Sequence, residues 1–336
     1  MNIFLKKYFK IILITFISIV FQTYSSIASE FELITIKNKD ALCNNGQKAN
    51  YWIANQNSSK WLIRLPGGGA AWDKKNYTKR NKDKKKPVKG KDGSKKPISY
   101  TAIAKQFYDL GYNVIELHYC SSDLYAGNHT NSINGKDIPF KGRKIIEAII
   151  SENLNSLNNA EDLVIAGTSA GVYGIVLNLD LWSKFNNVRL ILDGIWRDDY
   201  QKSLQKTDNG WTKFPLGNMP KHCSGNFYKN CDVSRSTLKK HNIANAFLIF
   251  NFGDPYNWAK KDNQKKKFIE SFRGDAEIFG GGFSIDAKKY ELAGAEKWGH
   301  GLLTKSKFYN KKINNSSLSS TILEWVKNNK SIYIQY

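Results

Sequence analysis

Short apolar runs, each closing on glycine or a polar residue, alternate along the chain with longer segments of helical period. This alternation constrains the fold more than any other feature. The runs are Trp61–Leu65, Asn113–Leu117, Leu163–Ala166, Arg189–Leu192 and Ala246–Asn251, with Ala276–Phe279 as a further candidate. They are short and rich in β-branched residues and leucine, as strands buried on both faces are. Between them, residues 100–110 and 140–154 have helical spacing, and in the second Ile145, Ile146, Ile149 and Ile150 place an apolar stripe on one face. Further helices are expected over 170–181 and 317–327. The pattern predicts an α/β fold with a mostly parallel central sheet flanked by helices.

In such a sheet, loops and helix N-termini converge at the carboxyl ends of the strands, so the residues that follow each run carry the chemistry. The third run continues as Gly167-Thr168-Ser169-Ala170-Gly171. A Gly-x-Ser-x-Gly turn between a buried strand and a helix lifts the serine hydroxyl onto a sharp bend, where it can act as a nucleophile. The hydroxyl needs a base, and His300, in Lys297-Trp298-Gly299-His300-Gly301, stands last along the chain, as that order requires. The imidazole needs an orienting acid. Asp254 after the fifth run and Asp193 after the fourth both qualify, and the later position is preferred. A developing oxyanion needs backbone N–H donors, which Ala170 and the bare backbone of Gly68 and Gly69, after the first run, would supply. The same glycines do not form a P-loop or a dinucleotide fingerprint, so nucleotide binding is set aside.

The ends and the composition bound where the chain works. Residues 1–28 read as a signal peptide: Lys6, Lys7 and Lys10, then an apolar run from Ile11 to Phe21, then Ser26-Ile27-Ala28 as a cleavage site. The remainder, 29–336, reads as a single catalytic domain and is expected to be a monomer. Export, to the periplasm or the outside of the cell, implies an oxidising compartment. The even set Cys43, Cys120, Cys223 and Cys231 then suggests two disulfides. Spacing favours Cys223–Cys231 as a local clip and leaves Cys43–Cys120 as the longer bridge, with three connectivities formally open. No CxxC pair is present and the histidines are scattered, so no zinc site and no cofactor is expected.

The formal charge is +22, with much of it between Lys74 and Lys96. That insertion, at about 74–97, is poor in apolar residues and reads as a solvated loop; its functional reading is a basic collar for an anionic polysaccharide or an anionic envelope surface. Nucleic acid is a poor fit, because the segment carries one tyrosine and no stacking series.

Taken in order, these words resemble the pectin acetylesterase family. Ala41-Leu42-Cys43-Asn44-Asn45-Gly46 is similar to its N-terminal cysteine word, and Leu65-Pro66-Gly67-Gly68-Gly69 to its oxyanion glycine run. Tyr119-Cys120-Ser121-Ser122-Asp123 with Gly127, the Gly-Thr-Ser-Ala-Gly elbow, Leu192-Asp193-Gly194, Asp254 with Trp258, and His300 follow in family order. The resemblance implies an α/β-hydrolase-like fold, ester hydrolysis by Ser169, Asp254 and His300 with Gly68, Gly69 and Ala170 as oxyanion donors, and a Cys43–Cys120 pairing. The chain departs from the family at Ala70-Ala71-Trp72 and Ala295-Glu296, where cysteines are frequent, and at Val172, where a glycine is usual.

The expected activity is therefore that of a secreted serine carboxylesterase that removes acetyl groups from a pectin-like or acidic polysaccharide. Trp72, Tyr125 and Trp196 are candidate platforms for sugar rings. The rival readings are a lipid or lipoprotein deacylase with the same triad, and a glycan-binding module that does not use the serine.

Overall fold

A computed structural model describes residues 31–82, 101–197, 216–217, 220–223, 231–254, 262–285, 300–303, 309–328 and 331–336. The proposed signal segment 1–28, residues 83–96 of the lysine-rich run, Trp258 and residues 295–299 lie outside the described residues. Leu33–Tyr336 forms one compact unit.

In chain order the strands are β1 (Glu32–Thr35), β2 (Asn50–Ala54), β3 (Lys60–Leu65), β4 (Asn113–Leu117), β5 (His129–Ile133) and β6 (Lys136–Phe140). There follow β7 (Asp162–Thr168), β8 (Val188–Asp193), β9 (Asn245–Asn251), β10 (Gly280–Ile285) and β11 (Ile332–Gln335). All except β5 and β6 join one sheet in the order β1-β2-β4-β3-β7-β8-β9-β10-β11. From β4 across to β11 neighbouring strands pair in parallel, and β2 runs antiparallel to β4. The central strands are buried along nearly their whole length, which is why their sequences are continuous apolar runs and not alternating ones. Polar pairs interrupt them in places: Arg64 and Glu116, in register across β3 and β4, form a buried ion pair at 2.7 Å, and the Thr101 hydroxyl donates to the second Glu116 oxygen.

The helices are α1 (Lys74–Lys82), α2 (Ala102–Asp109), α3 (Gly142–Glu152), α4 (Leu154–Asn158), α5 (Ala170–Val176), α6 (Leu179–Trp182), α7 (Arg235–Lys240), α8 (Asp262–Ile278) and α9 (Leu318–Asn328). No helix among the described residues is long and apolar enough to cross a membrane.

Four expectations are corrected. Ala276–Phe279 is not a strand: Ala276 to Ile278 close α8, Gly280 turns the chain at φ +88°, and the strand is the glycine-rich segment that follows. Gly281 and Gly282 are required there, because a Cβ on either would stand 2.6 Å from Phe247 or Ala276. The lysine-rich segment is not all loop: Lys74–Lys82 is helical, pinned by the buried Tyr77 ring 5.8 Å from Phe140. The helix expected over 140–154 starts at Gly142, because Phe140 closes β6 of a hairpin turned on Asn134 and Gly135, both at positive φ. The helix expected over 170–181 breaks into α5 and α6, where the Asn178 side chain donates to Gly174 O and Tyr125 O.

Candidate active site

The parallel strands bring four turns to one edge of the sheet, after β3, β7, β8 and β9. The sharpest is at Ser169, whose φ of 55° and ψ of −115° lie where a non-glycine residue costs about 1–3 kcal/mol. The turn is forced by packing on either side. A Cβ at Gly167 would lie 2.7 Å from the backbone of Gly171, and one at Gly171 would overlap Leu65 O. Glycine at both positions lets β7 and α5 meet, and the serine between them takes the strain. Its N–H donates to Asp193 O at 2.9 Å, and its carbonyl accepts from the Val172 N–H at 2.9 Å. Ser169 is half-buried, whereas Thr168 and Ala170 on either side of it are buried.

The glycine run after β3 lies against this elbow: a Cβ at Gly67 would be 3.1 Å from Ser169 Cβ. The run is held from its other side by the loop after β4. The Tyr119 hydroxyl donates to Gly69 O at 2.7 Å, the Tyr125 hydroxyl donates to Pro66 O at 2.9 Å, and the Ala71 N–H donates to Ser122 O at 2.8 Å. The two tyrosine rings stack on each other at 4.3 Å. Gly69 has φ +68°, which glycine adopts without strain. Asp123 fixes the loop itself: its carboxyl accepts from the Ser121 hydroxyl, the Tyr125 N–H and the Gly142 N–H. Burial pushes that carboxyl up to about 6 against the pull of these donors. The Cys43–Cys120 disulfide ties the same loop to the segment before β2, where Asn44 donates to Ser121 O and Pro139 O. Closing a loop of this length contributes about 4.5 kcal/mol in the chain-entropy account, against about 2.5 for the short Cys223–Cys231 bridge. In the sequence Tyr119 and Asp123 stand out only as motif letters; their work as scaffolding emerges from these contacts.

His300 and Asp254 come together at the same edge. Nδ1 of His300 lies 2.6 Å from Asp254 Oδ2, with the carboxylate side chain 2% exposed and the imidazole 18%. Asp254 is held by a tight turn after β9, where its N–H and that of Gly253 reach back to Asn251. An imidazole that donates through Nδ1 leaves Nε2 to accept a proton. Asp193 has a different partner set. Its two oxygens accept from the Leu302 and Leu303 N–H groups, each at 3.0 Å, and from the Thr168 hydroxyl at 3.1 Å.

Two of the three expected sugar platforms are corrected. Tyr125 is 1% exposed and its ring and hydroxyl are used within the loop just described. Trp196 is 2% exposed, donates its indole N–H to Asp275 and packs edge-on to Phe279. Both rings fill the core, because their polar atoms find internal partners there. Trp72 is half-buried and packs on the core beside the glycine run. Both disulfides, Cys43–Cys120 and Cys223–Cys231, are present. Among the described residues, His222, Cys223 and Cys231 have metal-ligand spacing. Both sulfurs are spent in the disulfide, and a metal takes a thiolate.

A sharp serine elbow after the third parallel strand, with a histidine and an acid from later turns, defines an α/β-hydrolase-like fold. Solved structures agree: the Wnt deacylase Notum from Drosophila matches with a TM-score of 0.63 in one crystal form, over 91% of this chain and 95% of that one, at 20% identity. A second crystal form gives a TM-score of 0.64 at 19% identity. The pectinacetylesterase family model matches residues 24–207, more than half of the chain, and the chain belongs to that family. The palmitoleoyl-protein carboxylesterase notum1a of Danio rerio is 30% identical over 192 residues, 54% of this chain and 36% of that protein. The human palmitoleoyl-protein carboxylesterase NOTUM is 28% identical over 157 residues, 45% of this chain and 32% of that protein. The matches thus span about a third of the length of these relatives.

Proposed function

We propose that the chain is an exported carboxylic ester hydrolase that works through an acyl-enzyme on Ser169, and that it removes acetyl groups from an acidic polysaccharide. The observation that carries this reading is the His300–Asp254 contact at 2.6 Å, on the same sheet edge as the strained serine. Asp254 accepts a hydrogen bond from the Nδ1–H and fixes the tautomer, so that Nε2 takes the proton of Ser169 as its oxygen attacks the ester carbonyl. The tetrahedral oxyanion forms against the N–H groups of Gly68, Gly69 and Ala170, each such donor supplying about 3 kcal/mol. Protonated His300 then returns its proton to the leaving alcohol. Water, activated by the same imidazole, releases the acid and frees Ser169.

Exposed Lys74, Lys75 and Lys79 follow Trp72 along the chain. They support an anionic substrate or envelope surface, with the half-buried Trp72 as one wall for a sugar ring. The two disulfides support an oxidising compartment. A second reading is favoured by the relatives' names, palmitoleoyl-protein carboxylesterase: the same site would then cleave a long acyl chain.

Hydrolysis of p-nitrophenyl esters from acetate to long-chain acyl tests both. The expected result is activity that falls with chain length, lost by about 10⁴-fold or more in Ser169→Ala and by at least about 10²-fold in Asp254→Asn. Full activity in Ser169→Ala would overturn the mechanism, and a preference for long chains would move the assignment to the second reading.

A further inference from the structure

We propose that Asp193 is a positioning residue of this site, clamping the loop that carries His300 onto the strand end beside Ser169. The inference rests on the reading that Ser169 and His300 react. Asp193 is fully buried at the end of β8. Its carboxylate reaches residues 109 and 110 positions further along the chain, taking the backbone N–H groups of Leu302 and Leu303 immediately after the histidine loop turns at Gly301. It also takes the hydroxyl of Thr168, while its own carbonyl takes the N–H of Ser169. One residue therefore contacts the segment on each side of the proposed proton transfer.

The next residue completes the seat. Gly194 has φ +86°, and a Cβ there would stand 3.2 Å from Cε1 and 3.3 Å from Nδ1 of His300, so the imidazole rests on bare backbone. A buried carboxylate carries a large desolvation penalty, and here its hydrogen-bond donors are neutral. Burial pushes this carboxyl above its ordinary value, against the pull of the Leu303 and Leu302 N–H groups. Asp254 thus holds the ring by direct hydrogen bond, and Asp193 holds the loop that carries it.

The test compares wild type, Asp193→Asn, Thr168→Val and Ser169→Ala with p-nitrophenyl acetate, with rates normalised to sites titrated by a fluorophosphonate in the first three and to protein concentration in Ser169→Ala. Asp193→Asn is expected to lower kcat by about 10²-fold with KM within about threefold. Thr168→Val keeps the carboxylate and the side-chain shape but removes one donor, and is expected to lower kcat by about threefold at unchanged KM. A role limited to folding would lower the titrated fraction while leaving kcat per site where it is. That result in Asp193→Asn, or an unchanged kcat per site in Thr168→Val, overturns the positioning role. Activity retained in Ser169→Ala would overturn the esterase mechanism instead, so the two failures are distinguishable.

Discussion

The elbow at Ser169 and the loop at Asp123 lie side by side at one edge of the sheet and are held by opposite means. The elbow is fixed by the absence of side chains: Gly167 and Gly171 bring strand and helix so close that a methyl group has nowhere to go. The loop is fixed by saturation: a buried carboxyl collects three donors, two tyrosine hydroxyls grip the glycine run, and a disulfide closes the loop behind them. Steric fixation tolerates no substitution and ignores pH. Polar fixation is graded, and titrates.

The largest effect expected from this contrast is at the elbow. Gly171→Ala drives a methyl into the backbone oxygen of Leu65, which cannot rotate away, so the variant is expected to lose more than about 4 kcal/mol or to be recovered only as unfolded chain. A soluble variant with wild-type thermal stability would break the steric account.

Asp123→Asn comes next. The neutral acid satisfies its neighbours by donating to Ser121 while accepting from Tyr125 and Gly142, but an amide must turn its NH₂ toward one of those backbone N–H groups. The expected loss is about 2–3 kcal/mol. Its pH dependence has a definite sign. The folded carboxyl is raised from 3.8 to about 6, so the folded state holds the proton more tightly than the unfolded one. Stability from this group is full below about 4 and is lost as pH rises through about 6. The gap in melting temperature between wild type and Asp123→Asn should therefore be wider at about pH 4 than at about pH 7; a gap that widens toward neutrality would contradict the assignment.

The smallest effect sharpens the elbow argument by separating space from conformation. Gly111 has φ +79°, but a methyl there would meet nothing within 4 Å. Gly111→Ala should cost only about 1 kcal/mol, the conformational share alone. A cost near that of Gly171→Ala would mean that backbone angle, and not crowding, makes the glycines necessary.

The central strands are legible in the sequence because a strand buried on both faces has no alternation to misread: Asn113–Leu117 and the runs at Trp61, Leu163, Arg189 and Ala246 all lie within observed strands. The serine and both candidate acids are legible as residues that follow those strands, and the histidine as the one that stands last along the chain. Tertiary packing overrides local propensity elsewhere. Gly280–Ile285 is a strand through its pairing with β9 and β11, and Phe247, Trp325 and Ala276 leave room only for glycine at 281 and 282, which a propensity scale scores as a loop. The long helix α8 is hard to see because lysines 265–267 blur its apolar stripe, and only Phe268, Phe272, Asp275 and Ala276 mark its buried face. The β5–β6 hairpin does carry a readable signal, the Asn-Gly pair at 134–135. Spacing alone does not choose between Asp254 and Asp193, since both end parallel strands beside the same edge. Distances separate them, giving one the imidazole and the other two backbone amides.

The most direct test of the account is the site of covalent capture. A fluorophosphonate reacts with a serine only where a base activates the hydroxyl and donors receive the phosphoryl oxygen. Intact mass and peptide mapping should find one adduct per chain, on Ser169, formed far more slowly in His300→Ala and absent in Ser169→Ala. An esterase-active chain that forms no adduct, or forms it on another residue, would contradict the assignment of Ser169 as the nucleophile.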